Sequence, residues 1–229
     1  MRGIRAISYR LKEQTVSADQ SSTLKKYKHI DNSGQIKLDS KFGSLISRYA
    51  SDPRYKNYLE IGTFNGRGST FCFYDGFKKR TDSDFMLQTY EVNKDRFDEA
   101  SHTWKFYPNI DVINGIIMKI EEYPNINDIM NIYPGMNMYW YTDDIRSMTS
   151  VPVVRYLNPD VILLDGSEYL THFEGLRLLK DTEASVFILD DTNLKCKALF
   201  NFFLNDPDWR CVDFSHEDRN GWGIFEKIE

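Results

Sequence analysis

Tyr58-Leu59-Glu60-Ile61-Gly62-Thr63-Phe64-Asn65-Gly66-Arg67-Gly68-Ser69-Thr70 is the stretch that decides the fold. A short buried-strand pattern ends at Ile61, three glycines follow, and a helical pattern runs from Ser69 to Phe77. Glycines let the backbone turn tightly and approach a ligand closely. The spacing is G-x-x-x-G-x-G. A pyrophosphate cradle would want a glycine where Phe71 stands, and a P-loop would want Gly-Lys-Ser/Thr. NAD, FAD and P-loop nucleotides are therefore disfavoured.

The rhythm of this unit repeats outward. Upstream, Ile36, Phe42, Leu45, Ile46 and Tyr49 sit at helical spacing and Ser51-Asp52-Pro53 stops them. Downstream, Leu87–Val92, Ile110–Ile113, Val161–Leu164 and Val186–Leu189 have the apolar character of strands. Helical patterns separate them: Lys94–Trp104 with Phe97 and Ala100 inward, a Leu170/Phe173/Leu176/Leu179 stripe, and Lys195–Leu204. Continuous apolar strands alternating with amphipathic helices imply a parallel sheet covered on both faces. The C-terminus breaks the rhythm. Trp209–Phe214 and Trp222–Ile228 have no helix between them and Asn220-Gly221 marks a turn, so these two strands run antiparallel. The expected architecture is α/β: a Rossmann-like seven-stranded sheet, mostly parallel, closed by an antiparallel C-terminal hairpin, with helices on both faces.

Composition limits what such a domain does. The chain has 229 residues, enough for one large domain, and its 29 Lys/Arg against 34 Asp/Glu give a net charge of -5. A mildly acidic chain is a poor generic partner for nucleic acid. Cys72, Cys196 and Cys211 match neither a zinc spacing nor a disulfide framework, which points to a reducing, cytoplasmic compartment. No apolar run approaches the length of a membrane span and no signal-peptide core is visible. The first 29 residues carry seven Lys/Arg against two acids. The expected organisation is a basic N-terminal arm or leading helix over 1–35, then a domain over 36–229. Such an arm also fits attachment to upstream domains of a longer polypeptide. Within the domain, 117–160 is an aperiodic insert rich in Tyr, Met, Asn and Pro, of the kind that forms lids.

The glycine loop resembles motif I of the class I S-adenosylmethionine-dependent methyltransferases, and the terminal hairpin is similar to theirs. The resemblance covers roughly 55–229. It implies S-adenosylmethionine as cofactor. It implies that Glu60, Gly62, Thr63, Asn65, Gly66, Gly68 and Ser69 line the methionine side. Glu91, ending the second strand, matches the acid that accepts from the ribose hydroxyls, and Asn114-Gly115 matches the place where adenine is bracketed. The resemblance implies that Asp165 also contacts the cofactor.

Three further acids end strands: Asp165 after the fourth, Asp190 and Asp191 after the fifth. In a parallel sheet these ends open on one edge, and crowded carboxylates repel unless protonated or neutralised. Hard oxygen ligands suit Mg²⁺ or Mn²⁺. Asp165-Gly166-Ser167-Glu168-Tyr169 and Ile188-Leu189-Asp190-Asp191-Thr192 resemble motifs of metal-dependent O-methyltransferases acting on macrolide and aminocoumarin sugars. That resemblance implies that Asp165, Asp190 and Asp191 hold a divalent cation. The family's general base is an Asp where this chain has Ser167, so Glu168 or His172 stands in as base beside Asp165. In the insert, Tyr139, Trp140 and Tyr141 beside Asp143 and Asp144 offer flat faces and acceptors to a sugar. Residue usage and the basic leader also resemble, in style, methyltransferase domains of large-virus glycan-building proteins that methylate rhamnose, which would place the chain in a host cytoplasm. The expected function is methylation of a sugar hydroxyl on a small molecule or glycan. The alternatives are another small-molecule acceptor, RNA or protein, or a catalytically silent binding module.

Overall fold

The computed structural model describes residues 30–228. Its strands are β1 (Asn57–Ile61), β2 (Met86–Glu91), β3 (Ile110–Asn114), β4 (Val161–Leu164), β5 (Val186–Asp190), β6 (Trp209–Ser215) and β7 (Trp222–Lys227). They form one sheet in the order β3-β2-β1-β4-β5-β7-β6. The first five are parallel, and β7 runs antiparallel to both β5 and β6. Every residue of β4 and β5 is buried, which is why these strands are unbroken apolar runs. β6, at the edge, starts with buried Trp209 and then alternates exposed and partly exposed residues.

The helices are α1 (Lys41–Ser51), α2 (Ser69–Phe77), α3 (Lys94–Trp104), α4 (Ile126–Ile132), α5 (Met138–Thr149), α6 (Thr171–Asp181) and α7 (Lys197–Asn205). Ser40 caps α1 by accepting from the Gly43 N–H, so Ile36 lies ahead of the helix although it is buried. The C-terminal strands close over an aromatic cluster of Phe187, Phe203, Trp209 and Phe225, with Phe203 and Phe225 stacked at 5.0 Å. Burying each such ring contributes about 1.5–3 kcal/mol, so the hairpin is a core element and not an appendage.

Two sequence readings are corrected. The insert is not aperiodic coil: it contains α4 and α5, capped by the side chains of Asn125 and Asn137. Each buries only one residue fully, Ile129 and Met148 respectively, so no apolar stripe announced them. In α6 the buried face is Thr171, His172, Glu174, Gly175 and Leu178, while Leu176 is exposed. Steps of three fall short of the 3.6-residue turn, so the leucine stripe drifts off the core face.

Asp31–Glu229 forms one unit by its contacts. Within it, residues 31–35 lie against the glycine loop: Asn32 Nδ2 and the Gly34 N–H both donate to the Arg67 carbonyl, at 2.7 and 3.0 Å. Residues 1–29 of the expected basic arm lie outside the described residues. Among the described residues no helix is long and apolar enough to cross a membrane.

Candidate active site

The parallel strands deliver their carboxyl ends to one edge, and the order reverses between β1 and β4. That switch point is where an open α/β sheet binds ligands. A cavity of about 510 Å³ lies there, within the usual range for a small-molecule site.

Its β1 side is the glycine loop. Gly62 has φ +98°, and a Cβ there would sit 2.3 Å from the Asp165 carbonyl oxygen, so β1 and the residue after β4 approach only over a glycine. Gly66, at φ +73°, leaves room for the Trp104 indole, whose Nε1 donates to the Gly66 carbonyl at 2.9 Å. Gly68 lines the cavity as an open floor: a Cβ added there would meet no atom nearer than 3.5 Å. Phe64 adopts φ +53°, which turns its N–H onto Glu91 Oε2 at 2.7 Å. The Asn93 N–H donates to Glu91 Oε1 at 2.8 Å. A carboxylate has about four acceptor positions, so Glu91 keeps capacity for a ligand's hydroxyls. Burial pushes its carboxyl up, and the two backbone donors pull it back.

The other wall comes from β4, α5 and α6. Asp165, Ser167 and Glu168 follow β4 into the cavity. Ser167 Oγ donates to Asp144 Oδ2 at 2.5 Å, tying α5 to the β4 loop. Burial raises the carboxyls of Asp144 and Glu168, and the Asp191 charge adds to the rise at Glu168. Glu174 of α6 is buried at the same wall, and burial pushes its carboxyl up to about 7. Lys195 Nζ donates to Asp165 Oδ1 at 2.5 Å and lies 4.0 Å from Asp190 Oδ2. Burial works against that ammonium, but Asp165 and Asp190 hold its proton above the ordinary lysine range.

No protein-family model and no curated relative matches the sequence. Solved structures match it in fold. An O-methyltransferase from Bacillus cereus in complex with S-adenosylhomocysteine is 15% identical, with 92% of this chain and 88% of that one covered at a TM-score of 0.53. The O-methyltransferase TomG from Streptomyces achromogenes, involved in tomaymycin synthesis and bound to S-adenosylmethionine, is 13% identical, with 85% and 82% covered and a TM-score of 0.51. An S-adenosylhomocysteine-bound methyltransferase from Podospora anserina is 14% identical, with 82% and 78% covered and a TM-score of 0.50. The fold is that of the S-adenosylmethionine-dependent methyltransferases.

Within this methyltransferase fold the sequence-derived residues divide. Gly62, Thr63, Gly68, Ser69, Glu91, Gly115, Asp165, Glu168, Trp140 and Asp143 line the cavity. Glu60, Asn65, Gly66 and Asn114 shape it from behind. Glu60 is fully buried and accepts from Thr70 Oγ1 and Thr89 Oγ1 at 2.7 and 2.5 Å. Asn65 accepts from the Arg67 N–H, and Asn114 Nδ2 donates to the Glu91 carbonyl at 2.8 Å.

Four placements are corrected. His172 does not line the cavity; it is buried against Phe173, and burial lowers its pKa, so it is not placed to take an acceptor's proton. Tyr139 is 75% exposed and Tyr141 packs against the core, which leaves Trp140 as the aromatic of that triplet at the cavity. The Asp165/Asp190/Asp191 trio does not fit a divalent cation. Asp190 is clamped by Arg219, whose Nε and Nη2 donate to its two oxygens at 3.1 and 2.9 Å. Asp165 is paired to Lys195, and Asp191, at φ +53°, accepts from Asn220 Nδ2. Among the described residues no three His, Cys, Asp or Glu side chains converge as a metal site. Sequence reasoning missed Lys195, Arg219 and Glu174, and also Gly34, Gln35 and Ile36, which close the cavity over Gly68.

Proposed function

We propose that this chain is an S-adenosylmethionine-dependent O-methyltransferase whose acceptor is a sugar hydroxyl. The observation that carries the reading is one cavity lined both by the glycine loop with Glu91 and by Trp140, Asp144, Asp165 and Glu168.

The glycine loop and Glu91 suit the cofactor. Gly62 and Gly68 leave the floor without side chains, and Glu91 supplies a carboxylate acceptor of the kind ribose hydroxyls use. S-adenosylmethionine, when bound, supplies a sulfonium methyl whose transfer breaks an S–C bond, forms an O–C bond and frees the hydroxyl proton. Glu168 is the residue of this chain placed to take that proton. It lines the cavity, and burial, with the Asp191 charge, raises its carboxyl above the ordinary glutamate value, which strengthens it as a base. Asp144 and Ser167 fix the wall beside it, which holds the acceptor in line and excludes water.

The acidic lining of the cavity as a whole suits a neutral polyol. Glu91, Asp143, Asp144, Asp165, Glu168 and Glu174 line it against two cations, Arg96 and Lys195. Anionic acceptors such as phosphates or polynucleotides are repelled. A sugar offers hydroxyl donors to these carboxylates and C–H faces to Trp140.

The test is calorimetric titration with S-adenosylhomocysteine, followed by tritiated-methyl transfer over free sugars, glycosides, catechols, RNA and protein. Cofactor-product binding and a labelled carbohydrate are expected. Labelled RNA or protein without labelled carbohydrate overturns the acceptor, and absence of binding overturns the activity.

A further inference from the structure

The three strand-end aspartates leave a problem that the fold solves without an ion. Asp165 and the buried Asp190 both lie within reach of one ammonium, that of Lys195. Two carboxylates in that setting need a cation between them or a shared proton. The cation present is a side chain of the chain itself.

We propose that Lys195 is the resident cation of the acceptor site: its ammonium takes the place a divalent ion would need between Asp165 and Asp190, and methyl transfer here needs no metal. This rests on the methyltransferase reading above. Lys195 Nζ is 2.5 Å from Asp165 Oδ1 and 4.0 Å from Asp190 Oδ2. It is 7% exposed and lines the cavity. The side chain is delivered from the turn between β5 and α7, and the Tyr133 hydroxyl pins its backbone by donating to the Lys195 carbonyl at 3.0 Å. Tyr133 belongs to the insert, so the same segment that walls the cavity fixes the lysine.

The neighbouring acids are disposed of separately. Arg219 neutralises Asp190 from the far side with two hydrogen bonds. Arg219 and Asn220 both have left-handed backbone, φ +55° and +59°, in the β6–β7 connection. That strained connection places a guanidinium on Asp190 and an amide on Asp191. Lys195 and Arg219 are thus paired with Asp165 and Asp190, and an added divalent ion would have to displace one of these cations.

An ammonium carries three donors, and one of Lys195's is on Asp165. The others are available to an acceptor oxygen in the cavity. Lys195 keeps its own proton throughout: Asp165 and Asp190 favour the charged form, so it orients the hydroxyl and stabilises growing negative charge on its oxygen, while Glu168 receives the hydroxyl proton. That is preorganised electrostatic stabilisation, in the place where a metal would act as Lewis acid.

The experiment compares the chelator-treated wild-type protein with Lys195→Met, which keeps the aliphatic stem, and Lys195→Arg, which keeps the charge. Mn²⁺ titration, read by calorimetry and by electron paramagnetic resonance, requires no acceptor. Wild type and Lys195→Arg are expected to bind no ion at the site, and Lys195→Met to gain one because Asp165 is left without a cation while Asp190 keeps only Arg219. With an acceptor in hand, wild-type transfer is unchanged by EDTA or added Mg²⁺. Lys195→Met loses about 10²-fold in kcat, the size of losing one oxyanion donor, with S-adenosylhomocysteine affinity kept. A Mn²⁺ site in the wild type, no gain in Lys195→Met, chelator-sensitive transfer, or undiminished transfer in Lys195→Met each overturns the proposal. If Lys195→Met does not fold, the Mn²⁺ titration of wild type and Lys195→Arg decides alone. Failure of the wild type to bind S-adenosylhomocysteine defeats the methyltransferase reading instead, and leaves the Mn²⁺ comparison standing.

Discussion

The Tyr123 hydroxyl donates to Glu174 Oε1 at 3.0 Å, joining the 117–160 segment to α6 through a carboxyl that has left solvent. Burial raises Glu174 from 4.5 to about 7, and the hydrogen bond and the Asp144 charge act on it in opposite directions. The folded-state pKa lies above the unfolded one, so folding takes up a proton. The stabilisation from this group is complete below about 4.5 and is lost as pH rises through about 7. The full span is worth about 3 kcal/mol. Denaturant unfolding between those pH values is expected to show stability falling with pH, and Glu174→Gln to flatten that slope. An unchanged slope in the variant would assign it to other buried acids such as Asp190.

Glu174 also shows where the sequence stopped being legible. Strands β4 and β5 could be read because their apolar residues run on almost without interruption, β1 because its apolar residues lead straight into the glycine loop, and the antiparallel ending because no α-helix separates β6 from β7. The glycine loop was readable because Gly62 and Gly66 need backbone angles that other residues avoid. The buried face of α6 was not, since it carries Thr171, His172 and Glu174 where hydrophobic periodicity looks for leucines. The ion pairs were hidden for a different reason. Lys195 is 30 residues from Asp165, and Arg219 is 29 from Asp190. Only the sheet order brings such pairs together, and a run of acids read alone suggests a metal. The insert concealed its helices because α4 and α5 are held by Asn caps and single buried side chains.

Gly62→Ala is expected to damage both the fold and cofactor binding. The new Cβ would lie 2.3 Å from the Asp165 carbonyl oxygen at φ +98°. Backbone strain of this kind costs about 1–3 kcal/mol before the steric clash is counted. In a domain of this size each kcal/mol lowers Tm by about 2–4 °C. A thermal melt with and without S-adenosylhomocysteine measures both effects, and a wild-type melt with a wild-type ligand shift would show that the loop tolerates a side chain.

Glu91→Ala is expected to weaken S-adenosylhomocysteine binding by about 1.5–3 kcal/mol, the range for losing hydrogen bonds to a charged group. The variant also frees the Phe64 and Asn93 N–H groups that the carboxylate holds. Glu91→Gln separates the two effects. Its amide oxygen can keep one backbone donor while the charge is lost, so an intermediate affinity is expected. Titration calorimetry gives the order wild type, Gln, Ala, and equal affinities across the three would remove Glu91 from the ribose.

Trp140 and Tyr139 are neighbours on α5 with opposite surroundings, which makes them a matched pair for acceptor recognition. Trp140 lines the cavity beside Asp143 and Asp144, whereas Tyr139 is 75% exposed and does not. Neither is a fully buried core residue, so truncation of either should leave folding intact. Stacking on an aromatic face contributes on the order of 0.5–1.5 kcal/mol, about a twofold to tenfold change in affinity. Trp140→Ala is therefore expected to raise the acceptor KM by that factor with S-adenosylhomocysteine affinity unchanged, and Tyr139→Ala to alter neither. Steady-state transfer with the best sugar acceptor, alongside calorimetry, makes the comparison. Equal KM values for the two variants would move the acceptor away from α5, toward the wall formed by Ser167 and Glu168.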